Sequence, residues 1–331
     1  MKSMSIGDLA QSFVLRHRNS DLKQQMARLT QELTTGQVAD VRHAVKGNYS
    51  YLTEVERSLD VLNGYKMVTA EASIFASNIQ TTLGRYQEVG EQLANSLVVS
   101  SIGATSGGIG EEAKATVDTL VSVLNTRSAG RSIFGGTATD RSPTETSAVL
   151  LSELTTAMAG ATNPADMFTA AEAWFNSPTG YDLAFYQGGS TALSDVRISG
   201  TEQVSFDIRA TDPDLKKTLL FASVAAVADD PAFGLDEKQI TEVYNRAGAS
   251  LLGASDSLTS LRANVGVLEA QIDRTATRNA AEMSAMEYEK SALLQVDPYE
   301  AATKLEEVQF QLQSIYSVTV RMSKLSLANF L

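Results

Sequence analysis

One short pattern in the sequence could bind a nucleotide. Gly108-Ile109-Gly110, followed by Ala113, has the spacing of a loose dinucleotide-binding fingerprint. That fingerprint needs a β-strand before it, a surrounding βαβ unit and an acidic residue about 20 positions further on. Residues 97–102 could form a short strand, but no second or third parallel strand follows. The pattern therefore predicts a flexible loop between helices.

Paired carboxylates are a second candidate for chemistry. Glu111-Glu112, Asp229-Asp230 and Glu306-Glu307 have the residue types of general acid–base catalysis. A catalytic pair also needs a pocket that perturbs its pKa values. These pairs instead fall at a helix start, in a turn and on a polar helix face. We therefore expect them to be solvated structural groups.

Metal and thiol chemistry have few residues to use. The chain has no cysteine, and its two histidines, His17 and His43, are 26 residues apart with no third ligand type clustered near them. No Walker loop, GxSxG elbow or HExxH motif occurs. The sequence predicts a protein that is not an enzyme and has no cofactor and no metal site.

The charge of the chain argues against two classes of partner. Its 331 residues carry a formal net charge of −12. Nucleic-acid-binding proteins cluster Lys and Arg towards phosphates, and anionic membranes attract basic segments. Residues 1–12 lack the apolar core of a signal peptide, and no stretch is long and apolar enough for a transmembrane helix. We expect neither nucleic acid nor membrane as a partner, and any export must use another route.

Coiled-coil spacing at the two ends is the strongest pattern in the chain. Near the N-terminus, apolar residues recur with the 3-4 spacing of a coiled-coil seam at Leu15, Leu22, Met26, Leu29 and Leu33. Gly36 is a natural C-cap for this helix. At the other end, Asp297-Pro298 predicts a helix start. The seam that follows contains Leu305, Val308, Leu312, Ile315 and Met322.

We predict that these ten seam residues form an assembly interface. Each seam is narrow, and each helix is too short to be stable alone in water. The two end helices can pair with each other, but a two-helix hairpin still leaves apolar surface open. We therefore expect both ends to be largely disordered in the monomer and to order when neighbouring copies cover them.

Between the ends, the pattern predicts an elongated helical body with an insert. Helical periodicity covers residues 46–136 and 236–296, and Asp236 with Gln239 forms a capping-box pattern. Residues 137–235 are richer in proline and contain two alternating runs around a turn at 199–202, which predict a β-hairpin. The predicted fold class is mainly α, with coiled-coil arms at 1–45 and 297–331 and a small α+β domain at 137–235. We expect that domain to be replaceable.

Three segments resemble the bacterial flagellin family. Residues 29–36, LTQELTTG, are similar to its N-terminal Leu-x-x-Leu-Ser-Ser-Gly segment. Residues 124–136, LNTRSAGRSIFGG, are similar to its Asn-Thr-Arg stretch followed by Phe-Gly-Gly. Residues 297–331 resemble its C-terminal signature in the form of the hook-associated members, with Tyr-Glu-Ala-Ala-Thr and a Leu-Ser-Leu ending on Phe-Leu. Residues 37–48 depart from the family, because they lack its Asp-Asp-Pro stretch.

The resemblance implies a structural subunit of the flagellum, located between hook and filament. It implies type III export to the cell exterior and four partners: other copies of the chain in a ring, flagellin, a neighbouring hook-associated protein and an export chaperone. Flagellin itself, the filament subunit, is the alternative within the family. Outside it, the alternatives are a helical sensor or binding module and an enzyme sited in the middle domain.

Overall fold

The structure, a computed structural model, describes residues 6–44, 49–102 and 108–328, with side chains described for all of these except 6–9, 43–44, 101–102 and 323–328. Residues 103–107, the side chain of His43 and the Phe330-Leu331 ending lie outside the described set. The helices in chain order are α1 (Ile6–Thr35), α2 (Val41–Ala44), α3 (Ser50–Ile102), α4 (Ile109–Leu124), α5 (Ser147–Ala157), α6 (Pro164–Asn176), α7 (Pro213–Val227), α8 (Glu237–Leu294) and α9 (Pro298–Ala328).

The strands are short and form two hairpins, so the predicted fold class, mainly α with some β structure, is confirmed. β1 (Arg127–Ser128) pairs antiparallel with β2 (Arg131–Ser132). β3 (Val196–Arg197) pairs antiparallel with β4 (Gln203–Val204), and Val196 lies opposite Val204. The second hairpin is the one that the alternating runs predict. The first was not predicted, and its turn places Ala129 and Gly130 at φ 49° and 79°.

Local capping signals act as the sequence indicates. Asp236 Oδ1 accepts a hydrogen bond from the Gln239 amide at 2.8 Å, and Gln239 Oε1 accepts from the Asp236 amide at 3.0 Å. This reciprocal pair satisfies two backbone donors at the start of α8. Gly36, at φ 68°, follows the end of α1, and its amide donates to the Glu32 carbonyl at 2.9 Å.

The chain divides into two compact units. The terminal unit consists of residues 1–63 and 280–331, and the central unit consists of residues 64–279. The division falls inside α3 and α8, so each of these helices contributes to both units. The domain boundaries predicted at 136 and 235 lie within the central unit and stay a prediction.

The central unit has one continuous apolar core, to which the predicted insert contributes directly. Buried side chains of α3, α4 and α8 pack in the same cluster as those of α5, α6 and α7. Tyr86 of α3 is fully buried and donates its hydroxyl hydrogen to the Leu215 carbonyl of α7 at 2.9 Å. The expectation that residues 137–235 are replaceable stays a prediction. For α7 the packing argues against it, because removal of that helix would expose the faces of α3 and α4 that it covers.

Close backbone approach within the central unit gives a prediction. A Cβ at Gly248 would lie 3.0 Å from Val98 Cγ2 and 3.1 Å from the Ala94 carbonyl oxygen. At Gly253, on the same helix, a Cβ would meet nothing within 4 Å. We expect Gly248→Ala to lower the free energy of unfolding by about 1–3 kcal/mol through overpacking. Gly253→Ala should raise it by up to about 1 kcal/mol through helix propensity.

Urea unfolding of the two variants checks this pair. Both substitutions add the same methyl group to α8, so a difference in sign isolates the contact with α3. Equal stabilisation by both would show that α3 and α8 can separate slightly at no cost, contrary to the expectation.

Candidate assembly interface

The glycine pattern at residues 108–110 lies between two helices, not after a strand. Residues 97–102, the possible strand, form the end of α3. Gly108 is the N-cap of α4 with φ 97°, a left-handed conformation that suits glycine. A Cβ at Gly110 would clash with the Asp229 carboxylate. These glycines therefore allow a tight helix start and the close approach of Asp229.

The carboxylate pairs of the central unit have structural partners. Glu111 forms a salt bridge with Lys114 at 2.8 Å, and Glu112 accepts a hydrogen bond from Ser96 at 2.7 Å. Asp230 Oδ1 accepts from the Ala232 amide at 2.9 Å and caps a short 3₁₀ turn. Within the described ranges, no three His, Asp or Glu residues are grouped so that they could hold a metal ion.

The predicted seams meet each other within one chain. Buried side chains of α1 and α9 form a separate apolar cluster made of Leu22, Leu29, Val308, Leu312 and Ile315. Leu15, Met26 and Leu305 pack against it while half-buried. The end of α1 lies beside the start of α9, so the two helices run antiparallel. The structure thus brings together eight of the ten predicted interface residues, and their role between copies stays a prediction.

Two predicted seam residues lie outside this cluster. Leu33 is 41 % exposed, whereas its neighbour Glu32 is only 7 % exposed. Glu32 faces inward because the chain turns back after α1, which lets its Oε1 accept a hydrogen bond from the Ala39 amide at 3.1 Å. Met322 is half-buried near the other end of the pair. The 3-4 spacing predicted that Leu33 lies in the seam, because the spacing by itself contains no information about that turn.

Backbone pairing joins the base of the α1–α9 pair. The Val38 amide donates to the Leu294 carbonyl at 2.8 Å, and the Val296 amide donates to the Gly36 carbonyl at 3.0 Å. Asp297 then caps α9 by accepting from the amides of Tyr299 and Glu300. Glu300, three residues after this cap, pairs with Lys304 at 2.6 Å. These bonds fix which residues of α1 and α9 lie beside each other at the base of the pair.

A cleft of about 380 Å³ opens at this base between α1, the following loop and α9. Arg28, Glu32 and Asp40 line one side, and Asp297, Glu300 and Lys304 line the other. Most of these charges already have local partners at the cap, the turn or the Glu300–Lys304 pair.

Large apolar side chains also lie on the outside of the pair, where seam periodicity did not place an interface. Tyr299 is 83 % exposed, Phe310 is 70 % exposed and Phe13 is 65 % exposed. Tyr299 and Phe310 share a face of α9 opposite the seam, which their spacing of eleven residues already indicated. The signal was therefore present in the sequence but was masked by the stronger seam pattern.

The C-terminal part of the chain, with most of α8 and all of α9, is similar to a known family. Residues 251–331 match the family model of the bacterial flagellin C-terminal helical region. This match contains the capped start of α9 at Asp297 and the α9 half of the seam. The resemblance of residues 297–331 to the C-terminal region of flagellins is therefore confirmed, and the hook-associated form of that signature stays a prediction. No curated protein sequence matches the chain.

A solved structure shares the fold. A protein from Vibrio parahaemolyticus, provisionally assigned as a flagellar hook-associated protein, superposes with a TM-score of 0.54 at 13 % sequence identity. The similarity covers 73 % of this chain and 95 % of that one. At that identity the match shows a common fold, and function has to be argued from the chain itself. The match of residues 251–331 supports a relation to the flagellin family, and the superposition adds a common fold. None of the described helices combines the length and apolar character needed to span a membrane.

Proposed function

We propose that this protein is a structural subunit of the bacterial flagellum that forms the junction between hook and filament. The observation that carries the proposal is the antiparallel pair of end helices, one of which lies wholly within the flagellin-like region. The hook-associated form of the C-terminal signature supports the junction over other positions. The fold shared with the Vibrio parahaemolyticus protein is consistent with it.

A structural role follows from what the paired helices can do. Their cluster contains five buried apolar side chains along a single seam. In two-helix pairs, each helix buries only one stripe and leaves the rest of its circumference in water. Packing several pairs side by side covers more of each helix, so assembly stabilises the ends more than pairing alone. This makes the end helices the part of the chain through which copies associate.

The proposed location implies specific partners. Copies of the chain would associate with each other in a ring, with a neighbouring hook-associated protein on one side and flagellin on the other. The protein would be exported unfolded by the flagellar type III apparatus to the cell exterior. An export chaperone would cover the α9 seam until assembly. We propose no catalytic activity, cofactor or metal for this role.

Flagellin, the filament subunit, is the second candidate. The observation that favours it is the matched family model itself, which describes the C-terminal helical region of flagellin. Both candidates use the same end helices. They differ in copy number and position along the flagellum, so microscopy separates them.

Deletion of the gene in its host, combined with immunogold labelling of the wild type, tests the proposal. A junction subunit should be labelled at one band beyond the hook, and its deletion should leave hooks without filaments while flagellin appears in the medium. Label along the whole filament would support the flagellin alternative. Intact filaments in the deletion strain, together with absence of the protein from isolated flagella, would overturn both.

A further inference from the structure

The α1–α9 pair carries opposite charges on its two outward sides. We define the basic face of α1 as Phe13, Arg16, Ser20 and Lys23, and the acidic face of α9 as Tyr299, Glu306, Glu307 and Phe310. All eight residues are exposed. Successive members of each face are separated by three, four or seven residues or are adjacent, so each set lies on one side of its helix.

The charges of the two faces lack opposite charges among the described residues. Arg16, Lys23, Glu306 and Glu307 form no salt bridge there, and Glu307 accepts a hydrogen bond only from the neutral Gln311 side chain at 3.2 Å. Arg16 donates its Nε–H only to the Ser12 carbonyl of its own helix at 3.3 Å. Leu22 and Leu312, on the opposite sides of the two helices, are buried between them. The two faces therefore point away from each other and cannot meet in one copy.

We propose that the basic face of α1 in one copy packs against the acidic face of α9 in the next copy. This rests on the proposed function and identifies the surfaces that join neighbouring subunits. Lys and Arg can pair with Glu306 and Glu307 and also lie over the rings of Tyr299 and Phe310. An acidic surface with exposed aromatic rings therefore fits a basic partner better than a second acidic one.

The geometry of this contact suits an assembly. Two different faces meet, so the contact is heterologous: after it forms, one copy still has a free acidic face and its neighbour still has a free basic face. Such contacts repeat from subunit to subunit and produce rings or helical arrays. The buried seam, which is used inside each chain, keeps the two faces on opposite sides of the pair.

Charge reversal tests the contact in the full chain, expressed in the host in place of the wild type. Arg16→Glu with Lys23→Glu should lower the amount of protein in isolated flagella at least about tenfold, because like charges would face each other between copies. Glu306→Lys with Glu307→Lys should do the same. Combining all four substitutions restores opposite charges and should recover most of the incorporation.

Arg28→Glu is the matched control, since it reverses a charge on α1 outside the basic face, at the cleft. It should leave incorporation within about twofold of the wild type, because the contact does not include it. An equal loss in this control would attribute the effect to net charge and overturn the proposal. Thermal unfolding of each purified variant shows whether the central unit stays folded, and recovery in the quadruple variant excludes damage to the end helices as the cause.

A photo-reactive benzoylphenylalanine at position 310 gives an independent readout. In assembled flagella it should form covalent dimers in which the α9 peptide is joined to a peptide containing residues 13–23. Full incorporation of either double variant, or no gain in the quadruple one, would overturn the contact while leaving the proposed function intact. Absence of the wild type from flagella would instead refute the proposed function.

Discussion

Leu312→Asp is expected to abolish incorporation of the protein at the hook end. Leu312 is 6 % exposed at the middle of the α1–α9 seam, in contact with the buried cluster of Leu22 and Ile315. An unpaired carboxylate there would lose its hydration, which is costly in an apolar site. The helix pair would separate, and the faces that neighbouring copies contact would lose their positions. Immunoblots of isolated flagella measure the result.

The same substitution should leave the central unit unchanged. Its core is formed by a separate cluster that contains none of the end-helix seam residues. The main thermal unfolding transition of the monomer should therefore keep its midpoint. Gln309→Asp, at an exposed position of α9, is the matched control and should incorporate normally. A large fall in the main transition of Leu312→Asp would show that the ends stabilise the monomer.

Amide hydrogen exchange on the wild-type monomer tests whether the end helices become ordered only on assembly. Ordering backbone costs about 1–2 kcal/mol per residue, and a two-helix pair has only one seam to offset that cost. We expect weak protection of residues 305–322 in the monomer and strong protection after assembly. Strong protection before assembly would contradict the coupling of ordering to assembly.

Alkaline pH is expected to destabilise the central unit steeply, through two buried tyrosines. Tyr86 and Tyr181 are fully buried, and their hydroxyls donate to the carbonyls of Leu215 and Ala210, each at 2.9 Å. Burial raises the pKa of both hydroxyls above the ordinary value of 10. Burial also raises the pKa of Tyr244 to about 12.

Proton linkage explains why the free energy of unfolding falls as the pH rises. The unfolded chain loses each tyrosine proton near pH 10, whereas the folded chain keeps it, so the folded state binds more protons above that pH. The stabilisation is therefore complete below about pH 10 and falls as the pH rises further. Each tyrosine contributes a loss of about 1.4 kcal/mol per pH unit, and Tyr86 and Tyr181 together about 2.7.

Urea unfolding at pH values from about 9 to 11 measures this slope. The variant with Tyr86→Phe and Tyr181→Phe should be less stable near neutral pH by about 1–3 kcal/mol, because two hydrogen bonds are lost. Its stability should fall less steeply above pH 10, and the difference in slope from the wild type should approach about 2.7 kcal/mol per pH unit near pH 11. An unchanged slope would show that other groups dominate the alkaline loss.

Much of the fold was predictable because its signals are local. The caps at Asp236 and Asp297, the stop at Gly36 and the hairpin around residues 199–202 depend on side chains that bond to backbone a few residues away. The flagellin-like C-terminal region was also predictable, because its signature is a continuous stretch. Such features do not require knowledge of what lies across the fold.

Which segment packs against each helix face could not be predicted in the same way. Periodicity placed Leu22 and Leu312 on apolar stripes but did not decide whether the stripes would meet within a chain or between chains. It also placed α7 in a separate insert, although Leu215 and Leu219 are fully buried in the core shared with α3. That core depends on contacts between residues more than a hundred positions apart, such as Tyr86 with Leu215.

The sequence alone determined where α1 ends and where α8 and α9 begin, which residues share a face, and that the two ends carry coiled-coil seams. Tertiary structure decided that these seams are buried against each other, that Glu32 replaces Leu33 at the base, and that the charged faces of α1 and α9 remain outside. The physical reason is that a helical period specifies the direction of a side chain around its own axis. What covers that side chain depends on which distant segment packs there, and the pattern of a single helix does not contain that information.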